Sequence, residues 1–459
     1  MPGRADYDAH VATLRTQLRS LPADQPVRLR KSTSNLFRPR SGAASPLDAD
    51  FFRGVLDVDA GSATADVLGM TTYEELVDAT LPHGLMPLVV PQLKTITLGG
   101  AVTGLGIESS SWRSGLPHES VLDMDVLTGG AEVVTATPAG DHADLFAAFP
   151  NSYGSLGYAL RLRIECERVH PFVHLRHVRF GGIEECAAAI SQICAEGAWD
   201  GDDVHFIDGT WFTPTECYLS LGTWSDDAPR GTSDYTGQGI YYRSIQERHH
   251  DWLTVRDYLW RWDTDWFWCS RAFGAQNRLI RRIWPARLRR SDSYWKLIGL
   301  EQRYGVVRRI DAARGLPAKE AVIQDIEVPV SRLAEFIRFL DERTGIEPVW
   351  LCPIKLRDPK LSGVAQWPLY HLDPDELYVN VGFWSAVALP PGETDGFHNR
   401  AIEAKVAELG GRKSLYSTAF YDEDEFWSTY GGDAYHLVKK SYDPDGRLLD
   451  LYAKAVQRR

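Results

Sequence analysis

The chain has 459 residues, 44% hydrophobic and 24% charged, with a formal net charge of −12. That length exceeds one simple core and suits two domains, and the acidic balance disfavours general nucleic-acid binding. No apolar run reaches the span of a membrane-crossing helix, the charged opening segment has no signal-peptide core, and six cysteines without a CxxC pair argue against structural zinc and a disulfide framework.

The first 40 residues read as an amphipathic helix and then a basic, strand-like segment, VRLRKSTSNLFRPR. Strands are expected at 51–59 and 63–67. A helix follows over 72–81, with Thr71 or Thr72 as N-cap and His83-Gly84 closing it. LMPLVV (85–90) reads as a strand ended by Pro91. Next comes TLGGAVTGLGIESSSWRSG, from Thr97 to Gly115, with five glycines among Ser109, Ser110 and Ser111. Glycines this dense mean that backbone must approach something or bend sharply. Exposed N–H groups beside small hydroxyls suit an anionic or heteroaromatic ligand such as a nucleotide cofactor. The spacing is neither the Rossmann G-x-G-x-x-G nor a phosphate loop, so on spacing alone a loop of turns and bulges is an equal alternative. Residues 121–127 and 132–137 read as a hairpin about Gly129-Gly130 and 143–149 as a short helix. GSLG (154–157) turns into an alternating strand, 158–165. This mixture indicates an α+β domain rather than alternating βαβ units.

A second regime begins near Val169. A strand is expected at 172–180, a helix at 183–196, and strands at 205–211 and 217–223. After a loop comes a tryptophan-rich, largely helical block over 241–300. Strands follow at 321–328, 349–352 and 377–383, with helices at 330–344 and 396–410. Between Arg271 and Lys296 the chain carries eight basic residues (Arg271, Arg278, Arg281, Arg282, Arg287, Arg289, Arg290, Lys296) against one acid, Asp292. Mixed with Trp284, Trp295, Leu279, Ile280 and Ile283, these describe a surface able to lie on anionic lipid headgroups. A buried aromatic core flanked by solvated charges is the alternative.

The run PQLKTITLGGAVTGLGIESSSWRSGLPHESV resembles the flavin-binding core of the vanillyl-alcohol-oxidase, or PCMH-type, superfamily. More narrowly it resembles the sterol Δ24-reductase branch, and PNSYGSLGYALRLRI is similar to the superfamily's G-x-LG turn. EPVWLCP, ELYVNVGFWS, FYDEDEFW and GGDAYHLVKKSYDP are similar to segments of the same branch. The resemblance implies an α+β fold: a two-lobed FAD-binding domain over 1–168, an inserted α+β substrate (cap) domain over 169–415, and a tail, 416–459, packing back on the FAD domain. It implies that FAD is surrounded by Thr97, Leu98, Gly99, Gly100, Ala101, Val102, Thr103, Gly104, Leu105, Gly106, Ile107, Glu108, Ser109, Ser110, Gly115, Gly154 and Gly157. Many members attach FAD through a histidine; its place here is KSTSNLFRPR, which has none, so non-covalent FAD is expected. Lys31, Arg38 or Arg40 would supply charge near the pyrophosphate, with a solvated basic strand as the alternative. Glu108 is expected beside the cofactor, without acid–base work.

The implied activity is FAD-dependent reduction of a lipid carbon–carbon double bond, with NADPH as reductant. The substrate is a methylene-branched fatty acyl chain of a phospholipid or a sterol side-chain alkene. Such a reaction needs a positioned proton donor. Candidates are Tyr421, His436, Tyr416 and Glu425, with Asp263 and Asp265 behind them. No metal is expected, since His249-His250 lacks partners at ligand spacing. The alternatives are an oxidase or dehydrogenase of an alcohol or lipid-linked sugar, and a non-catalytic partner of a lipid methyltransferase. The expected location is the cytoplasm, peripheral on the inner face of the cell membrane, with the oligomeric state open.

Overall fold

The computed structural model describes residues 3–23, 25–31, 33, 37–38, 44–304, 309 and 313–458. The chain builds a mixed α/β molecule on two antiparallel sheets. In the first, the spatial order is Val55–Asp59, Thr64–Leu68, Tyr158–Arg168, Val121–Leu127, Val133–Ala136, and Leu85–Pro87 pairs with the far end of Tyr158–Arg168. The helix Tyr73–Thr80 starts on a capping box: Thr72 Oγ1 accepts from Glu75 N and Glu75 accepts from Thr72 N. Its Leu76 and Val77 are fully buried with Val67, Leu162 and Phe149.

The second sheet runs His250–Thr254, Phe172–Phe180, Glu216–Ser225, Phe206–Thr213, Val349–Ile354, Tyr378–Ala388, Lys319–Pro329, Arg412–Lys413. Strand periodicity gives it two unlike faces. Leu219, Leu351, Ile326 and Val381 form a core with the helices Ile183–Glu196, Leu333–Thr344 and Phe397–Glu408. On the opposite face, alternate residues of the same strands include Asp208, Trp350, Asp325 and Trp384.

The helices and strands stand close to their expected places, with three differences. First, the glycine run is a short helix, Leu98–Gly104, N-capped by Thr97 Oγ1, which accepts from Gly100 N at 3.2 Å. Here glycine serves close packing: Gly99 N donates to Gly69 O at 2.9 Å, and a Cβ on Gly99 would stand 2.8 Å from that oxygen. Second, LMPLVV pairs only over Leu85–Pro87, since Pro87 has no N–H to extend the ladder. Third, the tryptophan-rich block is only partly helical. It contributes Tyr241–Glu247, the strand His250–Thr254, Val255–Leu259, a run of turns, Arg278–Ile283 and Ser291–Tyr304. Among the described residues no helix is long and apolar enough to cross a membrane, all six cysteines are free, and no group of side chains is arranged to hold a metal.

Candidate cofactor and active-site cleft

Residues of both sheets line a cleft of about 320 Å³, within the range of small-ligand sites. Its floor is Thr97 to Ile107: Thr97, Gly99, Gly100, Ala101, Thr103, Gly104, Leu105, Gly106 and Ile107 all face it. Four cations line it as well, namely Arg28, Lys31, Arg38 and Lys454. The Arg38 guanidinium lies over the Tyr153 ring at 4.6 Å, and Lys454 Nζ donates to Gly154 O at 2.9 Å. One wall is aromatic, formed by Phe37, Trp266, Phe267, Trp350, Trp384 and Tyr416, and aliphatic residues such as Val27, Leu29, Met70 and Leu93 complete the lining. Phe37 stacks on Trp266 at 5.5 Å and Phe267 on Trp384 at 4.6 Å.

Backbone strain concentrates around this cleft. Leu105, Tyr153, Trp266 and Phe267 all have φ between 44° and 70°, a region costly for bulky side chains. The surrounding contacts hold them there, as where Tyr153 Oη donates to Gly104 O at 2.6 Å.

One acid, Asp325, is among the described residues lining the cleft. It is half-buried: protein encloses it except where it faces the cleft. Burial pushes its carboxyl up to about 7, although Asn380 and Tyr416 hydrogen-bond to it. Tyr416 Oη also accepts from Trp384 Nε1 at 3.0 Å. Burial, and then the Asp325 charge, hold the Tyr416 phenol well above its usual range. Tyr416 therefore keeps its proton at neutral pH, where Asp325 is about half protonated.

The residues present fit a flavin dinucleotide. The four cations suit a pyrophosphate, and the flat rings suit a fused heterocycle. A Cβ on Gly100 would stand 3.7 Å from Lys31 Nζ, in ordinary contact with that ammonium.

Comparison with known proteins agrees. Residues 9–137 match the family described as FAD binding domain. The chain is 25% identical over 445 residues to a Delta(24)-sterol reductase of Arabidopsis thaliana, covering 90% of this chain and 77% of the relative. Against the Delta(24)-sterol reductase of Homo sapiens it is 25% identical over 416 residues, 87% of this chain and 75% of the relative. A Decaprenylphosphoryl-beta-D-ribose oxidase of Mycolicibacterium smegmatis is 34% identical over 127 residues, 28% of this chain and 27% of that protein. Residues 9–137 thus carry an FAD-binding domain of the PCMH type, and these relatives are consistent with the sterol-reductase-like branch of that superfamily.

In this flavoprotein the expected cofactor residues divide. Thr97, Gly99 to Ala101, Thr103 to Ile107, Gly154, Lys31 and Arg38 line the cleft, whereas Arg40 lies outside the described residues. Leu98 and Val102 point into the core, and Gly157 packs on Val126 and Leu127. Gly115 (φ 70°) sits against the Glu119 carboxylate, which accepts from Leu116 N.

Glu108, Ser109 and Ser110 turn away from the cleft. Glu108 is buried with Arg261 at 3.2 Å, and the same guanidinium meets Asp208 at 3.3 Å. Ser109 Oγ and Tyr258 Oη are 2.6 Å apart, while Ser110 Oγ donates to Leu88 O. This serine block fastens the glycine segment to the tryptophan-rich half.

Of the expected proton donors the cleft receives Tyr416. Tyr421 is buried against Phe426 and Tyr430. His436 is exposed beside Trp427, and Glu425 is exposed on the helix Glu423–Thr429. Asp263 accepts from Ser291 Oγ and Lys94 N, and Asp265 is paired with Arg281. Sequence reasoning missed Asp325, Trp266 and Phe267. For Asp325 a signal existed: in AVIQDIEVP, Asp325 and Glu327 alternate with Ile326 and Val328, which places two acids on a sheet face that an ordinary core strand fills with apolar groups.

Proposed function

We propose that this flavoprotein reduces an isolated carbon–carbon double bond of a lipid, with NADPH as electron source and FAD held non-covalently. The observation that carries the reading is the Asp325–Tyr416–Trp384 cluster in a cleft whose lining includes the glycine segment, aromatic rings, aliphatic side chains and four cations. An apolar chain fits the aromatic wall, and no histidine or cysteine lines the cleft among the described residues.

Bound FAD would supply the hydride. The chain supplies the proton: Tyr416 Oη gives it to the alkene carbon, the Trp384 N–H steadies the oxygen left behind, and the Asp325 carboxyl refills it. The alkene thereby gains one hydride and one proton. The substrate proposed is a methylene-branched acyl chain of a phospholipid or a sterol side-chain alkene. A lipid methyltransferase that makes the former is a fitting partner, and the cytoplasmic side of the membrane a fitting location. The relatives named Delta(24)-sterol reductase, which align across both halves of the chain, support this reading.

Rapid mixing tests it. NADPH bleaches the flavin absorbance, and lipid from cells lacking the protein accumulates the unsaturated species. Bleaching by an alcohol but not by NADPH would give the cleft to an oxidase or dehydrogenase. Protein that takes up no FAD would leave a non-catalytic partner role.

A further inference from the structure

The basic, apolar stretch after the tryptophans divides into two sets of residues. Arg281 is buried and forms a two-point ion pair with Asp265, at 2.6 and 3.0 Å, while donating to the carbonyls of Gly237 and Gly239. Arg290 is paired with Glu74 at 2.7 Å, and Arg289 donates to the Thr236 and Gly237 carbonyls. These three are structural pins, so the surface expected from the sequence excludes them.

With Arg281 pinned inward, the short helix Arg278–Ile283 turns its other residues outward. Leu279 and Ile283, one turn apart, are 77% and 81% exposed. Leu288 is 44% exposed and Ile280 38%. Four of the eight large exposed hydrophobic residues among those described thus fall within ten positions. Arg278, Arg282 and Arg287 are exposed between them and make no ion pair or hydrogen bond among the described residues.

We infer that this face, Leu279, Ile283 and Leu288 with Arg278, Arg282 and Arg287, docks the protein on an anionic phospholipid bilayer. Leucine and isoleucine interspersed with unpaired arginine describe a helix lying in the headgroup boundary, with apolar side chains below and cations at phosphate level. A second copy is disfavoured, because a symmetric contact would set these arginines against themselves. The −12 charge of the whole chain makes the local cations the part that an anionic surface attracts. The docked face also adjoins the site: Trp295, on the next helix, meets Trp266 at 6.3 Å and Phe37 at 4.9 Å, both lining the cleft. Only the purpose of docking rests on the lipid-reduction reading.

The test is co-sedimentation of the flavin-loaded full chain with phosphatidylcholine vesicles, with or without phosphatidylglycerol. Binding is expected only when phosphatidylglycerol is present. Arg278→Ser/Arg282→Ser/Arg287→Ser should weaken it about a hundredfold, and Leu279→Ser/Ile283→Ser about tenfold. Neither should alter the melting temperature, since all five side chains are exposed. Arg338→Ser, exposed on another helix, should bind as wild type. No binding to either vesicle, equal binding to both, or full retention by both variants would overturn the inference. So would a dimer that Leu279→Ser/Ile283→Ser dissolves, which would assign the face to self-association. Bleaching by NADPH in solution needs no vesicle, so the two readings fail separately.

Discussion

A tyrosine held above its usual range is a poor acid until its oxygen has help as charge develops. In the proposed reduction Tyr416 receives that help from Trp384 Nε1 and is refilled by Asp325. Tyr416→Phe should therefore lower the rate of alkene reduction by roughly 10²–10⁴-fold while leaving NADPH bleaching of the flavin nearly unchanged. Rapid mixing with each substrate separates the two half-reactions, and equal losses in both would sink the assignment. In that proposal Asp325 acts only while protonated, so wild-type alkene reduction should decline as pH rises through about 7. In Asp325→Asn the rate should be low and nearly flat with pH. Gly100→Ala probes the cofactor floor. Its Cβ would stand 2.7 Å from Thr97 Oγ1 and displace the cap, so flavin content after gel filtration should fall with the fold retained.

Among the elements, the segment from Glu108 to Ser111 is a fastening rather than a cradle. Arg261 sits fully buried between Glu108 and Asp208, with its guanidinium 4.0 Å over the Tyr258 ring. Asp208 also accepts from the indole nitrogens of Trp262 and Trp350, the latter a cleft residue. Arg261→Met should destabilise the protein by about 3–5 kcal/mol, because it strands two buried carboxylates. Adding Glu108→Gln should recover part of that loss in urea unfolding. The sequence made the glycine block legible as a close-approach segment, which lines the cleft, and the strand and helix order legible through periodicity. It could not show that Gly99 is there for Gly69, or that Glu108 faces Arg261, 153 positions away. Those contacts are tertiary, and nothing local marks them. Tyr421 and His436 illustrate the same limit: both lie in segments similar to the branch, yet packing turns one into a core and leaves the other on the surface.

At the scale of the whole molecule, the cleft acid contributes to how stability responds to pH. Asp325 rises from its ordinary 3.8 to about 7 in the folded chain. Between these values the folded state binds more protons than the unfolded one, so this group's contribution falls as pH rises through the window and is constant above it. The full span corresponds to roughly 4 kcal/mol. Other buried groups overlay it. Glu119, also pushed up to about 7 by burial, acts in the same direction. His118, pushed down to about 3 by burial, acts in the opposite one, losing stability as pH falls below its ordinary value. Wild type alone therefore cannot isolate Asp325, but the difference between wild type and Asp325→Asn can, because the other groups are common to both. The two flavin-loaded proteins should unfold at similar urea concentrations near pH 4. By pH 8 the variant should be more stable by up to that amount, with the gap opening between the two pKa values. A gap that stays constant across this range would mean that Asp325 is ionised in the folded protein, and the proton-refilling role would fall with it.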